Sequence, residues 1–381
     1  MDMPSQFNRL TRANQINRLT RVSAALRYWL GCAMVAALAF SGSGTVWAGA
    51  ESEVQIEGLS ATLLLPTVPG KSAAILISGS GPTDRDGNNP YGLRTDAYKL
   101  IAQALDAAGV VTVRYDKRGI ARSAAVVKGE EGLSVEQFAD DVVSVATWLR
   151  ETHKFSDIYL IGHSEGGLLA LLAAERVKPK GIVLLTTPGR PMAELLREQF
   201  SAPVVPEAFK TQALTIIAAL EKGESISDVS PELQGVFRPS VQGFLRTLMK
   251  PDPAQVLAKL TLPVLIVGGS KDAQVVRADF DALVAARGKP ANAVTANSST
   301  ASTAIAITAT ANAATANAAI ANKSLTSSQW LEGMTHALKT LPAGALQQRT
   351  YTDPNLALAA ALMPAITEFL TKTSASPQPA R

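Results

Sequence analysis

Apolar residues along the chain fall into two alternating periods. Short, nearly unbroken apolar runs read as buried strands: AAILISG (Ala73–Gly79), VVTVRYD (Val110–Asp116), DIYLIGH (Asp157–His163), GIVLLTT (Gly181–Thr187) and LPVLIVGG (Leu262–Gly269). Between them apolar positions recur at helical spacing. TDAYKLIAQALDAAG (Thr95–Gly109) predicts a helix that ends on glycine, and Ser134-Val135-Glu136-Gln137 is a capping box opening another that runs to about Glu151. A third helix runs from Leu168. VQIEGLSATLLLP, from Val54, predicts one or two antiparallel strands, and Pro354 to about Lys372 predicts a final helix with the stripe Leu356, Ala360, Met363, Ile366 and Leu370. Continuous apolar strands joined through helices specify an α/β fold, a mostly parallel twisted sheet with helices on both faces. Residues 189–260 break the rhythm: they are polar, hold several helix-like pieces and read as a helical cap inserted before the penultimate strand. Ligands of such sheets bind at the C-terminal edge of the strands.

Where the strand Asp157–His163 gives way to a helix, the chain reads Gly162-His163-Ser164-Glu165-Gly166. A G-x-S-x-G run between strand and helix makes a sharp, strained turn that lifts the serine hydroxyl clear of the sheet, and side chains at the glycine positions would clash with neighbouring backbone. The helix N-terminus beside it favours an oxyanion. Ser164 is therefore the candidate nucleophile, and such a serine needs a base. The chain has three histidines. His153 precedes the strand on the wrong side. His163 adjoins Ser164 on the strand and is expected to point away from it. That leaves His336, in Gly333-Met334-Thr335-His336. The chain order for this arrangement is serine, acid, histidine. Asp272, just past the strand that ends at Gly269, is the candidate acid that would hold the imidazole tautomer; a helix N-cap is its other reading. Asp252 lies before that strand, and Asp279 and Asp281 lie in the helix after it. An oxyanion hole needs two backbone donors, assigned to the amides of Glu165 and of Ser80, with Gly81 second, in the loop Ser78–Pro82. The Glu165 side chain reads as a solvated acid at a helix start, with substrate contact the alternative. Asp84-Arg85-Asp86-Gly87-Asn88 lacks the distal glutamate of a calcium loop and reads as a salt-bridged loop near the site. Arg114–Gly119 reads as stabilising a turn, with Arg118 bordering the pocket as its alternative. No metal and no cofactor is expected.

Composition changes the picture at the N-terminus. The net charge of +4 over 381 residues is the charge of the first 50, which hold Arg9, Arg12, Arg18, Arg21 and Arg27 against Asp2. The remainder is balanced, so nothing favours a nucleic-acid partner. The arginines precede the uncharged run YWLGCAMVAALAF and the triplet Ala48-Gly49-Ala50, the order of a secretory signal over residues 1–50. No twin arginine is present, so the general secretory route is expected, with the membrane met only through this signal during export. The expected location is periplasmic or secreted. Cys32 is the only cysteine, so a processed chain would carry no disulfide or thiol chemistry.

The stretches ISGSGPTDRDGN, RYDKRGIARS, GHSEGG, LPVLIVGGSKDAQV and GMTHALK, in this order and spacing from about Leu76 to Lys339, resemble the α/β-hydrolases. More narrowly they are similar to bacterial EstD-like serine esterases and S33-peptidase-like hydrolases. The resemblance implies an α/β-hydrolase fold over residues 51–381, hydrolysis of carboxylic esters without a cofactor, and Ser164, Asp272 and His336 as the triad. Ala121 stands where the family usually has glycine. A larger departure is the run ANAVTANSSTASTAIAITATANAATANAAIAN, residues 291–322, free of charge, glycine, proline and aromatic rings. It lengthens the connection from Asp272 to His336 and reads as a tandem-duplicated insertion looped out of the sheet. The last strand before Gly333 is drawn as Ser324–Leu331, from Ala293–Ala296, or as Thr303–Thr308.

The expected activity is that of a secreted serine hydrolase cleaving a small-molecule ester through an acyl-enzyme. A serine aminopeptidase of the same fold is the alternative and would need an acid placed for the substrate amine. A non-catalytic binding protein on this fold is the third reading.

Overall fold

The computed structural model describes residues 49–288 and 325–375. The expected signal segment and the 291–322 run lie outside the described residues, apart from the last two positions of the former.

Eight strands form one sheet in the order β1-β2-β4-β3-β5-β6-β7-β8. The antiparallel pair expected from Val54 onward is two strands, β1 (Ala50–Ile56) and β2 (Leu59–Leu65). β2 also pairs antiparallel with β4 (Val111–Tyr115). The rest is parallel: β3 (Ser72–Ile77), β4, β5 (Asp157–His163), β6 (Gly181–Leu185), β7 (Val264–Gly269) and β8 (Thr326–Leu331). This is the α/β-hydrolase fold. Of the three drawings of the last strand, Ser324–Leu331 matches, trimmed by two residues. β7 and β8 pair from Val264↔Thr326 to Gly269↔Leu331.

Both faces of the sheet are covered, as unbroken apolar strands require. On one face α1 (Ala97–Asp106) and the C-terminal helix Leu362–Ser374 pack Ile101, Leu105, Ile366 and Phe369 against Leu76, Ile161 and Val183. On the other, α2 (Val135–His153) and α3 (Glu165–Val177) pack Val142, Val145, Leu169 and Ala173 against Ile75, Val113 and Leu160. Each buried Val, Leu, Ile or Phe side chain among these stabilises the fold by roughly 1.5–3 kcal/mol relative to exposure. The capping box of α2 forms as expected: the Ser134 hydroxyl accepts from the Gln137 amide, and the Gln137 side chain accepts from the Ser134 amide. The C-terminal helix starts later than its stripe suggested. Leu356 and Ala360 precede it, and Pro364 sits in its first turn, where a missing amide hydrogen costs nothing.

Residues 189–260 form α4 (Met192–Phe200), α5 (Glu207–Glu221), the short α6 (Gln234–Phe237), α7 (Pro239–Leu248) and α8 (Pro253–Lys259), between β6 and β7. Ile216, Phe237, Phe244 and Leu257 join the larger of the two cores. After β7 comes α9 (Arg277–Arg287).

The strand order sets where a ligand can sit. From β3 the chain crosses to β4 on one side and returns to β5 on the other. The loops leaving the carboxyl ends of β3 and β5 therefore diverge and open a crevice, the switch point at which such sheets bind ligands. The β3 loop carries Ser78–Pro82 and the β5 exit carries Ser164.

Candidate active site

Ser164 sits at the sharp turn between β5 and α3 with φ 54° and ψ −123°, a backbone conformation that L-residues rarely adopt. Its amide donates to the Leu185 carbonyl at 2.9 Å and its carbonyl accepts from the Gly167 amide at 2.9 Å, so the turn is held on both sides. The flanking glycines are steric necessities. A Cβ on Gly162 would lie 2.3 Å from the Gly166 carbonyl oxygen, and one on Gly166 would lie 2.2 Å from the Ile77 carbonyl oxygen.

Asp272 leaves the end of β7, and His336 lies in the loop after β8. The Lys271 amide donates to the Met334 carbonyl at 3.0 Å and ties the two loops together. His336 Nδ1 and Asp272 Oδ2 are 2.8 Å apart, with the carboxylate wholly buried. An ionised carboxylate only accepts, so Nδ1 carries the proton and Nε2 is left as the acceptor. The other Asp272 oxygen accepts from the amides of Gln274 and Val275 at 2.8 and 2.9 Å. Asp272 thus fills its reading as the histidine partner. It is not a helix N-cap, since the next helix begins at Arg277 with Val276 at its N-cap, and its second oxygen holds the turn before that helix. Ser164 and His336 line one cavity of about 230 Å³ without a direct hydrogen bond between their side chains among the described residues.

The Ser80 and Glu165 amides have no protein acceptor among the described residues. Ser80 lines the same cavity as Ser164, and Glu165 follows the serine as the first residue of α3. The side chain of Glu165 corrects its expectation. It is neither solvated nor turned to the cavity; it is 2% exposed and its Oε1 is 3.0 Å from Lys117 Nζ, itself 3% exposed.

His163 is the second correction. Its ring centroid lies 4.8 Å from that of His336, and it lines the cavity beside Ser164. Its Nε2 is 2.8 Å from the His336 carbonyl oxygen, which can only accept, so Nε2 carries the hydrogen. Its Nδ1 therefore accepts from the Tyr98 hydroxyl at 2.7 Å, and that hydroxyl in turn accepts from the Gly79 amide at 3.0 Å. Burial, reinforced by the His336 ring, holds the His163 pKa down to about 3, and burial raises that of Tyr98. All members of this chain are neutral.

The Asp84–Asn88 loop is salt-bridged as expected. Arg85 pairs with Asp116 at 2.7 Å and Asp86 with Arg114 at 2.6 Å, while Asp84 accepts from the amides of Asp86 and Asn88. Arg118 pairs with Asp141 at 2.5 Å, in line with its structural reading. Tyr98, His163 and Lys117 are the site residues that sequence reasoning missed. Lys117 stands just past β4 at the ligand edge of the sheet, and that position was the available signal.

Residues 91–296 match the hydrolase family described as serine aminopeptidase, S33. This is over half of the chain and contains Ser164 and Asp272. The chain belongs to this family. Among curated proteins, Esterase EstD of Thermotoga maritima is 28% identical over 236 residues, 60% of this chain. The chain spans about half of that relative's length, 53%. Among solved structures it is similar to Est1E from Butyrivibrio proteoclasticus with ferulic acid bound, at 18% identity and a TM-score of 0.49, covering 85% of this chain and 100% of the other. TT1662 from Thermus thermophilus aligns at 13% identity and a TM-score of 0.49, covering 86% and 99%.

Proposed function

We propose that this family member is a serine hydrolase of carboxylic esters. Ser164 Oγ attacks the acyl carbon and its proton passes to His336 Nε2, while Asp272 supports the imidazolium. The Ser80 and Glu165 amides receive the oxyanion. The intermediate collapses, the acyl–oxygen bond breaks and His336 protonates the departing alcohol. Water then attacks the acyl-enzyme with His336 as base and releases the acid. The Ser164–His336 contact closes as substrate binds, a common tightening of hydrogen bonds that are loose in unliganded sites.

One observation carries the choice of ester over aminopeptide. The cavity around Ser164 is lined among the described residues by Gly79, Tyr98, Leu338, Tyr351 and other uncharged or histidine side chains, with no carboxylate to receive a substrate ammonium. None of that lining comes from residues 189–260, the cap in which the aminopeptidase alternative would need such an acid. The resemblance to Esterase EstD supports the same reading. A cavity of about 230 Å³ suits a short acyl group. The proposal extends to export, on the strength of the N-terminal charge and apolar pattern; cell fractionation tests that part.

Paired kinetics test the activity. The purified chain is expected to hydrolyse p-nitrophenyl acetate and butyrate, with kcat/KM falling at longer acyl chains, and to leave aminoacyl-p-nitroanilides intact. Preference for the anilides would favour the aminopeptidase reading instead.

A further inference from the structure

The two peptide groups that meet at Gly79 are each held by a buried side chain that the reaction itself does not use. Lys117 Nζ donates to the Gly79 carbonyl at 2.5 Å and to Glu165 Oε1 at 3.0 Å, and it lies 5.5 Å from the centre of the Phe138 ring. From the other side Tyr98 accepts the Gly79 amide and passes its own hydrogen to His163. No described peptide bond is cis. In a trans peptide the carbonyl and the following N–H point in opposite directions. A Gly79 carbonyl fixed on Lys117 therefore fixes the direction of the Ser80 amide. Gly79 packs close against the nucleophile, since a Cβ on it would lie 3.2 Å from Ser164 Cβ.

We propose that Lys117 is a positioning residue of the oxyanion hole, with Tyr98 as its counterpart on the other side of Gly79. Lys117 joins the two donors: it aims the Ser80 amide through the Gly79 carbonyl, and it holds Glu165, whose own amide is the second donor. It acts electrostatically as well. An ammonium on the carbonyl polarises the peptide and makes the Ser80 N–H a stronger donor. It also neutralises the Glu165 carboxylate, a buried negative charge that would otherwise oppose an oxyanion forming beside the first turn of α3. A buried ion pair is a poor stabilising device compared with apolar groups of the same volume, so its placement here calls for another reason. Aiming the donors of a charge that appears only in the transition state supplies one.

This inference rests on the serine-hydrolase reading, and the test separates the two. In K117M alone the stranded Glu165 charge threatens folding, so the principal variant is K117M/E165M, which removes both charges and keeps the volume. The readouts are kcat and KM for p-nitrophenyl butyrate and the inhibition constant of an alkyl trifluoromethyl ketone. Ser164 Oγ adds to that ketone's carbonyl carbon, the carbonyl π bond becomes an oxyanion in the hole, and the serine proton passes to His336. The expected result is a kcat lower by about a hundredfold, as for loss of one oxyanion donor. The ketone's affinity should fall by a similar factor, with KM within about threefold because the planar ground state makes little use of the hole. Y98F, which deletes only a hydroxyl, should lower kcat and ketone affinity together in the same way by about tenfold. Folded K117M/E165M with wild-type kcat and ketone affinity overturns the proposal; if that variant does not fold, unchanged values in Y98F overturn it. A wild-type chain that hydrolyses no ester and takes up no fluorophosphonate overturns the hydrolase reading before any variant is compared.

Discussion

His163 ties the loop that carries His336 to the loop that carries Gly79 and Ser80, and does so as a neutral ring. Its Nε2 hydrogen goes to the His336 carbonyl and its Nδ1 accepts from Tyr98, so one imidazole bridges the loop after β8 and the loop after β3. Its pKa of about 3 lies below the value near 6.5 of an unfolded histidine. Between those values the unfolded chain binds a proton that the folded chain excludes. The stability this ring contributes is therefore complete above about pH 6.5 and declines as pH falls toward 3, by up to about 1.4 kcal/mol per pH unit. Urea unfolding followed from pH 7 to pH 4 should show this decline in the wild type and a shallower one in H163Q. Equal slopes would mean that His163 titrates normally in the folded chain. The ring was hidden from sequence reasoning for a definite reason. Strand alternation sends neighbouring side chains to opposite faces, but Ser164 leaves the strand at φ 54°, so the alternation no longer separates it from His163. Glu165 was misread for a related reason: a glutamate at a helix start is usually solvated, and only the fold brings Lys117 to it.

At the scale of elements, the strands that lead to Ser164 and Asp272 were legible because each is a nearly unbroken apolar run. By contrast β8, which leads to His336, reads TSSQWL with half of its positions exposed and was one of three drawings. Boundaries were less legible, as the late start of the C-terminal helix shows. The turn after β4 contains the departure from the family's usual glycine. Ala121 adopts φ 44°, the left-handed region. An L-residue there is disfavoured by roughly 1–2 kcal/mol, and glycine is not, although glycine adds entropy to the unfolded chain. The net expectation is that A121G stabilises the protein by up to about 1 kcal/mol, read as a higher thermal midpoint with unchanged kcat. A lower midpoint would show that the Ala121 methyl contributes more through packing than its backbone costs.

For the whole molecule, the decisive feature is the strand order. It places the β3 loop and the β5 exit on either side of one crevice, and the loops after β7 and β8 bring Asp272 and His336 to it from the other end of the sheet. The parallel character of the sheet was legible in the apolar runs and the helices that join them, but the order of the strands was not, because it depends on which side each crossover takes. Residues 189–260 were expected over the site; the cavity lining instead draws on the 79–98 segment, on Gln274 and on the loops around His336 and Tyr351. The central claim is that this arrangement makes Ser164 a nucleophile. The most direct measurement is intact and peptide mass spectrometry after exposure to a fluorophosphonate. One adduct per chain on the peptide containing Ser164, and none in S164A, is the predicted result. A folded wild-type chain that remains unmodified, or an S164A chain modified to the same extent, would contradict it.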